Sequence, residues 1–229
     1  MSTLGKKFRG FTLVELLVVL AVMGALMGML GFSILGGGAD VYSGQRQVLS
    51  LLHQARTAAL GSGKEARLIV HADPSDSEKY MRHLGIVVRD DNASDVWSVV
   101  EEGLFLPDGL WLVDSNIEVD SSWMGDAFCS WSSSDETNLF KLGRLTGGQR
   151  IESASDSVVF KYVGFDSTGA AIAEDFPKMP RVVIAPGQLR ANGGELFPYF
   201  ANAFEVTGIE VRPFGGILCL DFNDFSSNN

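Results

Sequence analysis

Cysteine, histidine and positive charge are all scarce in this sequence, and each scarcity closes off a class of function. The two cysteines, Cys129 and Cys219, are too few for a disulfide-knit scaffold or a Cys-only zinc site. In an oxidising compartment a bridge between them and a pair of buried free thiols are both compatible with the sequence. The three histidines, His53, His71 and His83, show no metal-ligand spacing, and no G-x-S-x-G, P-loop or HExxH stands anywhere in the chain. Asp114, Asp120 and Asp126 miss the EF-hand pattern and read as a solvated acidic loop. The expectation is no catalytic residue, no metal and no cofactor, and therefore not an enzyme. Lys and Arg number 18 against 28 Asp and Glu. That imbalance opposes charge-driven binding to nucleic acid or anionic lipid, and the last nine residues, DFNDFSSNN, contain no cation at all.

Charge is almost missing from one stretch in particular. Between Phe11 and Leu35 the only ionisable side chain is Glu15, and about 25 such residues are long enough to cross the hydrocarbon core of a bilayer as a helix. The basic residues Lys6, Lys7 and Arg9 lie just ahead, so the positive-inside rule keeps residues 1–10 cytoplasmic and sends the remainder outward. Without them, 15 Lys and Arg face 28 Asp and Glu, a formal charge near −13 on the exported part. Gly24 with Gly28, and Ala21 with Ala25, make small-xxx-small pairs that permit close helix–helix approach. Glu15 itself is the anomaly, because a carboxylate one turn into an apolar helix costs a few kcal/mol in lipid unless it is neutralised. No Lys, Arg or His follows until Arg46. Were the chain cut between Gly10 and Phe11, the new ammonium of one copy would reach the depth of a neighbour's Glu15.

The stretch Gly10-Phe-Thr-Leu-Val-Glu15 resembles the N-terminal signature of type IV pilins and type II secretion pseudopilins. The resemblance covers about 50 residues. It implies removal of residues 1–10 by a prepilin peptidase, N-methylation of Phe11, and assembly with other pilin or pseudopilin subunits through Phe11 and Glu15. An ordinary secretory signal fits poorly, since its apolar core is roughly 7 to 15 residues and its small residue follows that core. A plain single-pass anchor satisfies hydropathy but leaves Glu15 unexplained. Many pilins carry a proline about twenty residues into the mature chain, where this sequence has Phe32. Gly36 to Gly38 can supply flexibility instead, since three glycines cost a helix roughly 3 kcal/mol relative to alanine.

Beyond Asp40 the helical period returns. Val41, Val48, Leu52, Ala55 and Ala59 fall on one stripe, while Gln45, Arg46, Gln47, Gln54 and Arg56 largely fill other faces, with Gly61 and Gly63 as stop signals. If both halves are continuous, about 50 residues make a rod on the order of 75 Å. From residue 63 the period is two, predicting strands at Ala66–His71, His83–Arg89, Val96–Glu101, Gly109–Val113, Ser157–Val163, Arg181–Ala185, Ile209–Arg212 and Gly216–Asp221. The aromatic stretch Leu196 to Phe204 reads as a short helix or a loop, packed in the core or against another subunit. The expected fold is α+β and pilin-like: a long N-terminal helix on an antiparallel β domain. Its parts are a basic leader (1–10), a membrane or filament-core helix (11–35), an amphipathic continuation (36–62) and a periplasmic β-rich domain (63–229).

Within the pseudopilins the layout is most similar to the minor GspH/FimT-like group, on the Ala-Arg-x-Ala-Ala segment Ala55 to Ala59, the strand at Arg67 to Val70, Trp97, Phe165 and Gly169. The resemblance implies a minor pseudopilin of a type II secretion pseudopilus, held in the inner membrane with its C-terminal domain in the periplasm. A minor type IV pilin used in adhesion, twitching or DNA uptake is the alternative, and a membrane-anchored periplasmic enzyme or receptor a third. A filament subunit of this kind needs the prepilin peptidase, other subunits and the inner membrane as partners, and no nucleic acid.

Overall fold

Twenty-two residues of amphipathic helix, α2 (Val41–Ser62), carry the core of the larger of two compact units into which the chain divides, Met1–Gly38 and Ala39–Asn229. The computed structural model describes residues 13–20, 22–23, 41–90, 96–101, 103–114, 139–142, 150–152, 158–172 and 180–226. Residues 13–20 and 22–23 are helical (α1). The α2 stripe is the expected one: Val48, Leu52, Ala55 and Ala59 are fully buried, with Leu51 beside them. Each large aliphatic group removed from water there contributes about 1.5–3 kcal/mol. The helix runs one residue past Gly61 and stops at Gly63, whose φ of 65° and N–H bond to the Ala59 carbonyl (2.9 Å) form a left-handed C-cap.

Gln45 departs from the expected pattern. It is buried, and its Nε2 donates to the carbonyls of Gly208 (2.8 Å) and Leu220 (3.3 Å). The polar residue therefore sits on the packed face because sheet carbonyls there need a donor. Gly44, one residue earlier, is small for a steric reason: a Cβ at that position would stand 2.7 Å from Leu110 Cδ1.

Fourteen strands among the described residues are all antiparallel where they pair. The first sheet has the order β6 (Leu139–Leu142), β8 (Val158–Phe165), β1 (Ala66–His71), β2 (His83–Arg89), β3 (Val96–Val99), β7 (Arg150–Glu152), with β4 (Leu104–Phe105) on β2 and β9 (Ala171–Ile172) on β8. The second is β14 (Ile217–Asp221), β13 (Thr207–Val211), β10 (Arg181–Pro186), β5 (Leu110–Leu112). α2 packs against strands of both sheets, so its stripe joins them into one core with Leu68, Val70, Leu84, Ile86, Val163 and Phe165 from the first. The alternate side chains Ile69, Val87, Trp97, Val99, Phe160 and Tyr162 form a separate cluster on that sheet's other face. Every residue from Val182 to Ala185 is fully buried, so β10 is covered on both faces.

The fold is α+β with antiparallel sheets, as expected. The reading of Leu196 to Phe204 as helix or loop is corrected for residues 196–199, where β11 (Gln188–Asn192) and β12 (Glu195–Tyr199) form a hairpin of their own, while residues 201–204 are loop, one of the two expected forms. Its turn is Gly193-Gly194, with φ of 63° and 98°, the positive pair that a two-residue hairpin turn requires. A short C-terminal helix, α3 (Phe222–Ser226), packs on β14.

Candidate functional site

The described part of α1 is apolar on every face. Leu13, Val14, Leu16, Leu17, Val18, Val19, Leu20, Val22 and Met23 are all between 44% and 80% exposed. Such a helix is ordinarily found inside a large core or a membrane, and contiguous apolar surface of this kind on a single chain marks a site of association. Glu15 lies on it, on the exposed surface of the helix. With Leu16 and Leu17 after it and Leu13 and Val14 before it, any cover over this helix that excludes water also surrounds a carboxylate.

The other assembly residues expected from the sequence, Gly10, Phe11, Ala21, Gly24, Ala25 and Gly28, lie outside the described residues, as does the continuity of α1 with α2. Among the described residues no helix is long and apolar enough to cross a membrane. Cys219 is exposed on β14 with a free thiol, and Cys129 lies outside the described residues.

Inside the larger unit, charged and ring groups serve packing. Asp114 is held by Lys161, Nζ to Oδ1 2.6 Å, with side-chain exposures of 2% and 8%. That pairing takes Asp114 out of any solvated acidic loop. Asp120 and Asp126 lie outside the described residues. On the outer face of the first sheet the Arg67 guanidinium lies 3.9 Å from the Tyr162 ring centroid and 4.4 Å from that of Trp97, while its Nε donates to Glu65 (2.6 Å). Arg89 donates to the other Glu65 oxygen at 3.0 Å. Burial pushes the Tyr80 hydroxyl above its ordinary pKa, with Asp114 adding to the effect. His53 is exposed on α2, whereas His71 and His83 are drawn inward where β1 ends and β2 begins. Among the described residues no three His, Cys, Asp or Glu side chains converge as a metal site.

Sequence reasoning did not find a pocket of 340 Å³ at the start of α2, lined by Val41, Tyr42, Phe204, Glu205, Asp221 and Phe222 among others. Its walls come from residues more than 160 positions apart, and no local pattern joins them.

Residues 5–31 match the family model described as the prokaryotic N-terminal methylation motif. The chain carries a type IV pilin-type N-terminal signal. The match covers the basic residues Lys6, Lys7 and Arg9 and most of the apolar run, so Glu15 falls within it. No curated protein and no solved structure matches the chain. The motif implies a prepilin peptidase substrate that is anchored in a membrane and then assembles with other pilin-type subunits.

Proposed function

We propose that this chain is a non-catalytic structural subunit, a minor pseudopilin of a type II secretion pseudopilus stored in the inner membrane with its β domain in the periplasm. The single observation behind this reading is an all-apolar, exposed helix bearing one carboxylate, placed just behind a basic leader within a methylation motif. A prepilin peptidase cuts between Gly10 and Phe11 and Phe11 is methylated. The Phe11 ammonium of one subunit then neutralises Glu15 of the next, which turns the cost of a carboxylate in an apolar medium into a driving force for ordered assembly. Small residues at Ala21, Gly24, Ala25 and Gly28 let the helices approach closely in the filament core. In this account the antiparallel domain forms the outer surface of the filament.

A minor type IV pilin would use the same N-terminal chemistry. The formal charge near −13 on the exported part speaks against a DNA-uptake role for it.

The test is Glu15→Ala in cells that assemble the filament. Membrane insertion should be intact, while the share of subunits recovered in sheared filaments should fall about tenfold or more, equivalent to about 1.4 kcal/mol of lost assembly energy. Undiminished incorporation of the variant would remove the pairing from the mechanism.

A further inference from the structure

Residues 72–82, which join β1 to β2, gather unmet polar groups and backbone strain in one place. Among the described residues five buried side-chain polar atoms have no hydrogen-bond partner. His71 Nδ1, Arg82 Nε and His83 Nδ1 lie on this segment or at its two ends, and Trp111 Nε1 stands on β5, where the Arg82 guanidinium lies 5.0 Å from the Trp111 ring centroid. Met81 supplies the strain. It is fully buried and, among the described residues, the one non-glycine with a positive φ, 55°. A side chain in that left-handed region is held there only by its surroundings, and such positions gather where a structure switches.

What holds Met81 is a joint between the two sheets. Its N–H donates to the His71 carbonyl at the end of β1, and its own carbonyl accepts from the Leu112 N–H on β5, both at 2.9 Å. Tyr80 beside it is buried and meets Phe197 of the β11–β12 hairpin edge-on at 5.8 Å. His71 and His83 stand at the two ends of the joint. Asp76 and Lys79 act on both rings, Asp73 and the His83 ring act on His71 as well, and β8 and β4 meet the rings with Phe160 and Phe105. Both carboxylates are engaged, Asp76 by Lys79 Nζ at 2.6 Å and Asp73 by the N–H and hydroxyl of Ser75 at 3.0 and 2.7 Å. A protonated imidazole carries an N–H on each nitrogen. Acid therefore puts a charge and a donor at a buried Nδ1 that meets no acceptor among the described residues, and opening to water relieves both.

We propose that residues 72–82 form an acid-released latch: protonation of His71 and His83 lifts the segment off the core as a unit, parting β1 from β5 and withdrawing Tyr80 from the hairpin while the rest of the β-rich unit stays folded. The latch goes beyond the filament reading and does not depend on it. Burial holds both rings below the ordinary 6.5, with Asp76 and Lys79 acting in opposite directions, so the closed form binds fewer protons than the open one. Closure is complete above about pH 6.5 and weakens as pH falls below it, by up to about tenfold per ring for each unit.

The test is native-state hydrogen exchange on the full chain in detergent micelles at pH 7.5, 6.5 and 5.5, corrected for the intrinsic pH dependence of amide exchange. The amides of Tyr80, Met81 and Leu112 report on the segment, and those of the fully buried β10 residues Val182 to Ala185 report on global unfolding. Protection at the three segment amides should fall about tenfold or more from pH 7.5 to 5.5, and at pH 5.5 should lie about a hundredfold or more below that of β10. His71→Leu/His83→Leu should abolish the fall, and His83→Leu alone should remove about half of it on a logarithmic scale. Protection equal to that of β10 at every pH overturns the proposal, because the segment then opens only with the whole unit. Protection that does not change with pH overturns it too. So does a fall that survives in the double variant, which would assign the titration to Asp73 and Asp76.

Discussion

Lys161 and Asp114 show how far one pair of side chains can depart from what its neighbourhood in the sequence suggests. Asp114 stands at the edge of an Asp- and Ser-rich stretch and reads as a surface carboxylate, yet it is buried against a lysine 47 residues later at 2.6 Å. Nothing local encodes that, because Lys161 lies on β8 of the first sheet and Asp114 just after β5 of the second. A buried pair contributes little net stability, but removing one partner strands the other charge at a cost of about 3–5 kcal/mol. Lys161→Met should therefore lower the unfolding free energy by about that amount, and the double variant Lys161→Met/Asp114→Leu should recover most of it. Denaturant unfolding of the three proteins in detergent decides the matter. Equal losses in the single and double variants would show that packing, not charge, is what the lysine supplies.

Among the elements, the β1–β2 pair carries a pH dependence. The β1–β2 register ends with Val70 opposite Leu84, and His71 and His83 are the next residue beyond that pair on each strand. His71 is 4% exposed and stacks edge-on to Phe160 at 5.6 Å, and His83 tilts against Phe105 at 4.7 Å. Each Nδ1 is buried without a hydrogen-bond partner. Burial lowers both pKa values below the usual 6.5; Asp76 opposes this and Lys79 reinforces it at both rings, with Asp73 opposing further at His71. The folded state therefore binds fewer protons than the unfolded chain, so the stability is complete above about pH 6.5 and is lost as pH falls below it toward the lowered folded values. Melting temperatures at pH 7.5 and 5.5 should fall further in the wild type than in His71→Leu/His83→Leu. Parallel falls would contradict a role for these rings. The same two strands show what local pattern can find: Ala66–His71 and His83–Arg89 match the expected limits because each is a largely apolar run of six or seven residues, buried on both faces over most of its length. β4 and β9, at two residues each, are too short to display a period. The β11–β12 hairpin was hidden by its aromatic composition, although the Asn192-Gly193-Gly194 turn signals it. Gln45 was assigned outward because side-chain chemistry alone does not reveal a sheet carbonyl waiting 2.8 Å away.

At the scale of the whole molecule, the two units have opposite relations to water. The larger one covers its apolar stripe with two sheets and needs no further cover. α1 leaves nine large apolar side chains exposed, the surface that the proposed anchoring and assembly would cover with lipid or with other copies. The N-terminal motif was legible because it depends on sequence-adjacent residues and on an uncharged run, and the proposed assembly through Gly10, Phe11 and Glu15 is read from the same stretch. The pocket at the start of α2 was not, because Tyr42 and Phe204 meet only through the tertiary fold. Neutralising Glu15 depends on an amine that exists only after the leader is gone, so the intact mass of the protein from its native membrane tests the account most directly. The account predicts a chain that begins at Phe11 and carries one added methyl group; a mass retaining residues 1–10 in assembled material would contradict it.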